Sequence, residues 1–400
     1  MPPTFDIAAE RAATPGCATV AHLNYAGAAL PTAATLDTVV AHLRLEANIG
    51  GYEAAASEAD RIAGVAASVG RLIGARTEEV AVTGSDTEGW TKALWGLALS
   101  DGLPAGRRIL VDRQCYDSHY LGLLQVCQVT GSTIDVVPAV ADGTIDLEAL
   151  ATELAVGNVA LVTATHVGTH RGLVNPVEEV GDRCSNAGVP FFLDACQSIG
   201  QLPVDVERIG CAVATGTGRK WLRGPRGSGL LFVRTDFVDS LRPPGIDGAS
   251  ARWEDADHYR LQPGAARFMP FEYPVAVHLG LGTAVDHALA IGIDAIASQV
   301  GRIAEHLRSE LASVGGVAVH DGGTRRSGIV TFTVDGVFPV EAKDAASAAG
   351  INVSVTEAGA ARLDMGGARP EAVVRASPHY VTTEEECARL VEVVADLAPA

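Results

Sequence analysis

Short apolar runs rich in β-branched residues alternate with helical stretches through the middle of this 400-residue chain. Continuous apolar runs predict strands that are buried on both faces, and intervening helices predict parallel neighbours. Helical stretches include Glu88–Leu99 and Val177–Ala187. We therefore predict an α/β fold with a mainly parallel seven-stranded sheet, whose last strand is a candidate antiparallel member. The seven predicted strands are Glu79–Thr83, Arg108–Val111, Thr133–Val137, Val159–Thr163, Pro190–Asp194, Cys211–Thr215 and Gly229–Val233.

The pattern changes after about residue 245. We predict an aromatic-rich loop over residues 245–272. We predict a long helix over residues 273–314, with a break near Gly292. The last part alternates strand-like runs with a helix over 340–348, and the pattern TTEE from Thr382 predicts the capped start of a final helix. These features predict a second, smaller α/β domain. The predicted division is an N-terminal arm over 1–20, a large domain over 21–272, and a connecting helix with the small domain over 273–400.

The charge balance limits the partners of this chain. With 30 Lys and Arg against 48 Asp and Glu, the formal net charge is −18, so no surplus of cations exists to neutralise nucleic acid or an anionic membrane. No run of about 18 apolar residues occurs and the first residues do not resemble a signal peptide, so neither a membrane span nor export is expected. The seven cysteines include no Cys-x-x-Cys pair, which indicates reduced thiols and a cytoplasmic location.

The main candidate site combines an acid and a lysine at neighbouring strand ends. Asp194 ends the apolar run PFFLD, and Lys220 follows the next run in a Gly-rich loop. Ligand-binding groups of α/β sheets occupy such carboxyl ends. Pyridoxal phosphate needs an amine to link to its aldehyde and an acid beside its ring nitrogen, so the pair fits this cofactor. The ordinary alternatives are a surface lysine and a carboxylate that caps a strand.

A run of small and hydroxyl residues, TGSDTEGW from Thr83 to Trp90, lies between a predicted strand and a predicted helix. Amides and hydroxyls at such a turn can bind an anion at the helix N-terminus. Here that anion would be the cofactor phosphate. The alternative is an ordinary Ser, Thr or Asp helix cap.

A third motif, Asp112–His119, follows the strand RILV. An aromatic side chain here could stack on the cofactor ring, and Tyr116 is preferred over His119 for this role. The alternative is a surface loop with a partly buried tyrosine. Cys115 has no evident supporting base, so we do not interpret it as a nucleophile.

Two further motifs concern the substrate and metal ions. Side chains of Thr165–Gly172 would reach the cofactor or substrate, and a metal site that combines His119, His166 and His170 matches no zinc spacing, so no metal is expected. Arg375, in the run RASPHY, could clamp a substrate α-carboxylate with two parallel hydrogen bonds. The alternative for this residue is a surface arginine.

In this order, the motifs resemble the class V aminotransferase group of fold-type I pyridoxal-phosphate enzymes over about residues 20–395. The pattern Asp-Ala-x-Gln at 194–197 and the Lys220 loop carry the resemblance most specifically, and HLNYAGAALP at 22–31 is similar to the group's substrate-side loop. The resemblance implies a fold-type I architecture with pyridoxal 5'-phosphate as cofactor. It also implies a homodimer with a shared active site, in which the aromatic segment 253–273 reaches the neighbour's cofactor.

The resemblance also implies residue roles. Lys220 would link to the cofactor, and Asp194 would pair with the ring nitrogen; both would be catalytic. The expected cofactor-binding residues are Lys220, Asp194, Gln197, Asp86 (through its amide), Thr87, Tyr116, Thr169, Thr217 and Arg219. The expected substrate-binding residues are Arg375, Asn24, Tyr25, Tyr52, Trp90 and His379.

Finer stretches are similar to the hercynylcysteine sulfoxide lyases of ergothioneine biosynthesis and to other enzymes that process cysteine S-conjugates. Two positions depart from the wider group, which often has Asn in place of Thr169 and His in place of Arg219. The similar stretches are Gly50-Gly51-Tyr52, residues 169–172, residues 219–227 and residues 377–379.

The reaction that this resemblance implies is a β-elimination. A cysteine S-conjugate or cysteine sulfoxide would yield pyruvate, ammonia and a sulfur product. Persulfide transfer is disfavoured because residues 351–370, where the group carries its mobile thiol, contain no cysteine. Decarboxylating deamination, epimerisation and transamination remain open alternatives, and so does a non-catalytic cofactor-binding protein, which the lack of a basic tract disfavours.

Overall fold

The computed structural model describes residues 5–365 and 369–399. Helices and strands alternate between residues 80 and 233, as the sequence predicts. The α-helices are α1 (Ile7–Ala12), α2 (Ala33–Ile49), α3 (Gly51–Ser57), α4 (Ala59–Ile73), α5 (Asp86–Ala98), α6 (Asp117–Thr130), α7 (Leu147–Val156), α8 (Val177–Ala187), α9 (Val206–Ile209), α10 (Val275–Ile291), α11 (Ile293–Ser313), α12 (Pro339–Ala348) and α13 (Glu384–Leu397). The strands are β1 (Ala21–His22), β2 (Val80–Thr83), β3 (Arg108–Val111), β4 (Thr133–Val136), β5 (Val159–Thr165), β6 (Phe191–Asp194), β7 (Val213–Thr217), β8 (Gly229–Val233), β9 (Ala251–Trp253), β10 (Tyr259–Leu261), β11 (Val317–Val319), β12 (Val330–Val334), β13 (Ile351–Asn352), β14 (Ser354–Glu357) and β15 (Ala372–Ala376).

The predicted seven-stranded sheet is confirmed, with strand order β2-β8-β7-β6-β5-β3-β4. Every pair from β7 to β4 is parallel, whereas β8 runs antiparallel to both β2 and β7. β8 is therefore the antiparallel member that its short connection to β7 indicated. The shared direction of β5, β6 and β7 brings their carboxyl ends to one edge of the sheet.

Both faces of this sheet are covered by helices, which explains the uninterrupted apolar runs. In β6, Phe191 and Leu193 belong to the core that includes residues of α4, α7 and α8. Phe192 points to the opposite face and packs in a second core with residues of α5 and α6. All seven residues of β5 are buried. The sheet is thus a rigid layer on which loop residues at its carboxyl edge are supported.

A second sheet lies in the C-terminal part of the chain, with the antiparallel order β11-β12-β15-β14. The predicted final helix is α13, and its capping box is formed by Thr383 and Glu386, one residue later than the start of the TTEE pattern. α10 and α11 meet at Gly292, whose φ of 91° ends the first helix. None of the described helices is long and apolar enough alone to cross a membrane, and α10 and α11 pass such a test only as a pair bent by 82°.

Two regions differ from their predicted description. Residues 245–272 are not loop throughout, because β9 and β10 form a short antiparallel hairpin within them. Near the N-terminus, β1 pairs with β13, and Ala21 and Leu23 pack in the core of the C-terminal sheet. Arg11 also forms an ion pair with Glu386. The N-terminal segment therefore packs against the C-terminal part, while the predicted domain limits stay a prediction.

Candidate active site

A cavity of about 450 Å³ lies at the carboxyl edge of the large sheet, where loops after β5, β6 and β7 face β14 and β15. Because the two sheets contribute to one cavity, residues distant in the chain meet there. Six of the predicted site residues line it: Tyr116, Thr169, Gln197, Arg219, Lys220 and Arg375. The other lining residues are Ala26, Gly27, Val355, Thr356, Glu357, Gly359 and Ala360.

Lys220 and Asp194 are joined through one residue between them. Lys220 is buried, and its Nζ donates a hydrogen bond to Cys196 Sγ at 3.2 Å. The backbone N–H of Cys196 donates to Asp194 Oδ1 at 2.9 Å. The Lys220 Nζ also lies 5.9 Å from the centroid of the Tyr116 ring, which forms one wall of the cavity. The amine and the acid predicted for one cofactor are therefore neighbours.

The carboxylate of Asp194 lies in a buried polar cluster. Burial raises its pKa above the ordinary value for an aspartate. Its Oδ2 lies 3.4 Å from Nδ1 of His119, and Nε2 of the same ring lies 2.8 Å from Asp86 Oδ2. His119 therefore contacts both acids rather than standing in the stacking position.

The start of α5 has the features of an anion site. Ser85 is the N-cap and accepts a hydrogen bond from the N–H of Glu88, so the first-turn amides of Asp86 and Thr87 face outward from the helix. Gly229 passes so close that a Cβ there would lie 2.9 Å from the amide nitrogen of Asp86. A larger residue would therefore displace this turn.

Thr217 and Arg219 lie on the neighbouring segment, at and just after the end of β7. The Thr217 hydroxyl is buried and hydrogen-bonded to the carbonyl of Ser228 at 3.3 Å. The Arg219 guanidinium lines the cavity and donates to the carbonyl of Gly27. A cation here would complement a phosphate near the start of α5.

Arg375 is a buried cation without an acidic partner among the described residues. Its Nη1 donates to Thr169 Oγ1 at 2.7 Å and its Nε donates to Ser354 Oγ at 3.1 Å. Burial lowers the pKa of Arg375 to about 10, which leaves it charged at neutral pH. Burying a cation that contacts only neutral groups is energetically unfavourable unless an anion binds next to it. A substrate carboxylate would supply that anion.

Gln197 and Thr169 connect the two halves of the cavity. Gln197 Nε2 donates to Thr169 Oγ1 at 3.3 Å and to the carbonyl of Ala26 at 3.1 Å, while its Oε1 accepts from the indole of Trp221 at 2.9 Å. Since Thr169 also accepts from Arg375, a continuous hydrogen-bonded row runs from β6 to β15.

Five predicted substrate contacts do not line this cavity. Tyr25 and His379 are buried against each other, with ring centroids 4.6 Å apart, and His379 Nε2 is bonded to a backbone carbonyl at 3.0 Å. Trp90 is buried in the core and stacks on His119. Asn24 pairs by its backbone with Ser377, whereas Tyr52 is 76% exposed on α3. Tyr25 and Trp90 have large apolar side chains and pack in the two hydrophobic cores of the large sheet. The sequence motifs alone did not reveal this packing.

Sequence reasoning did not assign a site role to two residues. Cys196 stands within the DACQ motif, and that position alone could have placed it beside Lys220. The contact of His119 with Asp86 joins residues 33 positions apart, so only the packing of α5 against α6 shows it.

Thr87 is exposed at the start of α5, next to the predicted phosphate position.

The side chains present fit pyridoxal phosphate. The cavity lining provides a buried amine and an aromatic wall, and the Asp194 carboxylate and the start of α5 lie behind it, joined through His119. Arg375 also lines it, a cation whose hydrogen bonds within residues 5–365 and 369–399 go to neutral groups. When bound, this cofactor supplies an electron sink for the α-carbon of an amino acid. Lys220, Asp194 and Gln197 with the α5 start are the residues that would hold it.

The family profile described as "Aminotransferase class-V" matches residues 21–390. A probable hercynylcysteine sulfoxide lyase from Mycobacterium tuberculosis is 31% identical over 94% of this chain and 89% of its own length. A probable cysteine desulfurase from Methanothermobacter thermautotrophicus is 30% identical over 82% of each chain.

Solved structures share the fold at lower identity. A cysteine desulfurase from Thermococcus onnurineus has a TM-score of 0.91 at 22% identity, and the match covers 99% of both chains. The cystine C–S lyase C-DES, in complex with cysteine persulfide, has a TM-score of 0.85 at 22% identity over 96% of this chain and all of its own. With the profile match and the site geometry, these findings identify the chain as a fold-type I pyridoxal-phosphate enzyme that belongs to the class V aminotransferase family.

Proposed function

We propose that this enzyme cleaves the C–S bond of a cysteine S-conjugate or cysteine sulfoxide by β-elimination. The observation that supports it is a cavity lined by both Lys220 and Arg375, with the Asp194 carboxylate next to Lys220; Arg375 has no acidic partner among the described residues. An amino acid whose carboxylate pairs with Arg375 would place its α-carbon near the Lys220 amine. The match to a sulfoxide lyase over most of both chains supports a sulfur substrate.

The chain's own residues have distinct tasks in this reaction. Arg375 binds and orients the carboxylate, Asp194 holds the ring nitrogen of the cofactor, and the Lys220 amine accepts the α-proton. The Cβ–S bond then breaks with its electron pair on sulfur, so a sulfoxide leaves as a sulfenate. Water converts the resulting 2-aminoacrylate to pyruvate and ammonia.

Persulfide transfer is less consistent with this site. Residues 351–370 contain no cysteine, and among the described residues that line the cavity none is a cysteine. Cys196 is near Lys220, but it lies on the short turn after β6, and burial raises its pKa far above that of a free thiol. A fixed, protonated thiol is a poor sulfur acceptor.

A substrate panel tests the proposal. Cysteine, S-alkyl and S-aryl cysteines and hercynylcysteine sulfoxide would be assayed with the wild-type holoenzyme for pyruvate and for the sulfur product. We expect pyruvate from one of the S-substituted compounds, with sulfur released in equal amount. Alanine with persulfide from cysteine would instead indicate a desulfurase, CO₂ release a decarboxylating deaminase, and racemisation without pyruvate an epimerase.

We also propose that the enzyme works as a cytoplasmic homodimer with a shared active site. Tyr52 and Phe271 are 76% and 59% exposed, with ring centroids 6.5 Å apart, and Trp253 is 79% exposed nearby in the chain. Exposed aromatic groups of this kind favour a protein partner. The double variant Tyr52→Asp with Phe271→Asp should shift the solution mass toward the monomer, whereas an unchanged dimer mass would remove this face from the interface.

A further inference from the structure

Three buried side chains form a row behind the candidate cofactor cavity. Asp86 at the start of α5, His119 in α6 and Asp194 at the end of β6 are each at most 6% exposed. His119 Nε2 lies 2.8 Å from Asp86 Oδ2, and His119 Nδ1 lies 3.4 Å from Asp194 Oδ2. Trp90 stacks on the imidazole, with ring centroids 4.1 Å apart and planes within 10°, so the orientation of the ring is fixed by packing.

The number of protons that Asp86, His119 and Asp194 share is limited by their hydrogen-bonding geometry. A neutral imidazole carries one N–H and one lone pair, so one of its nitrogens would face a carboxylate oxygen with lone pair against lone pair. That repulsion is removed if His119 carries protons on both nitrogens or if one acid is protonated. Burial opposes charge on His119, but the carboxylates of Asp86 and Asp194 raise its pKa. Burial likewise opposes charge on Asp86, yet the pKa of Asp86 is lowered by His119. Both directions favour an imidazolium next to an ionised Asp86.

We propose that His119 is a positioning residue whose imidazolium, held by Asp86, keeps the Asp194 carboxylate ionised and correctly oriented for the ring nitrogen of pyridoxal phosphate. The groups that bear on its charge are Asp86 from α5, Asp194 from β6 and Lys220 from the loop after β7. With the protonated ring nitrogen in place, two carboxylates would face two cations, and the buried row would be neutral. The inference rests on the proposed role of Asp194 and is independent of which substrate bond breaks.

A bound metal ion explains the row less well. The three residues could provide three ligand atoms within 4.8 Å of one another. However, His119 directs its two nitrogens at two different carboxylates, whereas a metal ligand uses one nitrogen toward a shared centre. The arrangement is that of a cation between two anions.

Two variants and a matched control test the inference. His119→Gln removes the charge, and Asp86→Asn removes the group that holds it. The control, His278→Gln, alters another buried histidine, which stacks on Tyr273 and forms no ion pair within the described residues. Each protein would be titrated with pyridoxal phosphate, and the visible absorbance of the bound cofactor would be followed from about pH 6 to about pH 9.

Both test variants should bind the cofactor about 10- to 100-fold more weakly than wild type, because each disturbs a buried charged hydrogen bond. Both should also give an absorbance that changes with pH over a range where wild type and control stay constant. Equal affinity and equal pH profiles in all four proteins would overturn the inference. These measurements do not depend on the products found with the substrate panel. A negative result here would therefore reject the role of His119 without rejecting the proposed C–S cleavage.

A measurement on the wild-type holoenzyme is independent of how the variants fold. With ¹⁵N-labelled histidine, His119 should show two protonated nitrogens up to about pH 9, a state that a packing histidine would not hold. A neutral ring at about pH 7 would overturn the inference. Stoichiometric metal in the purified protein, released together with a change in the His119 signal, would also overturn it.

Discussion

The two sheets differ in how their buried charges at the cavity are paired. At the edge of the seven-stranded sheet, the carboxylate of Asp194 lies 3.4 Å from His119, which we propose is an imidazolium. On the four-stranded sheet, Arg375 is just as buried, but its hydrogen bonds go to the neutral groups of Thr169 and Ser354. On this proposal, the charges of the first region are paired once the cofactor is bound. The charge of the second region is paired only when an anionic substrate binds.

This difference suggests a division of labour. A compensated cluster keeps its geometry whether or not substrate is present, because each charge has a fixed partner. An uncompensated buried cation instead gains most of its stabilisation on binding. Substitutions on the large sheet should therefore affect cofactor chemistry, and those on the small sheet should affect substrate affinity.

The largest effect is expected from Lys220→Ala on the large sheet. Loss of the amine removes both the cofactor link and the base, so product formation should fall by about 10³- to 10⁶-fold. Steady-state pyruvate release and the visible absorbance of the holoenzyme are the measurements. Lys343→Ala, which alters an exposed lysine on α12, is the control and should match wild type. Residual activity within about tenfold of wild type would contradict the assignment of Lys220.

Arg375→Gln tests the role of the four-stranded sheet. Removal of the cation should lower kcat/KM by about 100-fold, mainly through KM, while cofactor affinity stays near that of wild type. Initial rates over a range of substrate concentrations separate the two constants. Arg389→Gln, on the exposed surface of α13, is the control. A fall in kcat with unchanged KM would show that the proposed division between the sheets is incorrect.

Thr169→Val tests the link between the two regions. Thr169 Oγ1 is hydrogen-bonded to both Gln197 and Arg375, and valine has nearly the same shape without the hydroxyl. We expect a loss of about tenfold in kcat/KM, as for one charged hydrogen bond. Thr169→Ser should restore most of it. Equal losses in the valine and serine variants would indicate a packing effect of the methyl group instead.

The smallest effect is expected far from the cavity. Thr383 caps α13 by accepting from the N–H of Glu386, so Thr383→Ala should lower the free energy of unfolding by about 1 kcal/mol. Chemical denaturation measures this change, and kcat/KM should be unaffected. A change in substrate affinity would show that α13 and the cavity are coupled.

Much of the fold was predictable because its signals are local. The strands of the large sheet appear as short apolar runs, and the antiparallel β8 follows from its short connection. The meeting of Asp194 and Lys220 was also predictable, since neighbouring parallel strands end at one edge. By contrast, the hairpin formed by Ala251–Trp253 and Tyr259–Leu261 is short and carries polar residues, so its pattern resembles a loop.

The chain's own sequence determined its α/β class, its cofactor chemistry and the acid–lysine pair, because strand periodicity and residue type are properties of short segments. Only the tertiary structure decided which side chains face the cavity. It placed Tyr25, Trp90 and His379 in cores and set His119 between two acids. Those outcomes depend on the packing of elements that are far apart in the chain. The burial and the charge pairing of a side chain are set by its spatial neighbours, which a local sequence pattern does not identify.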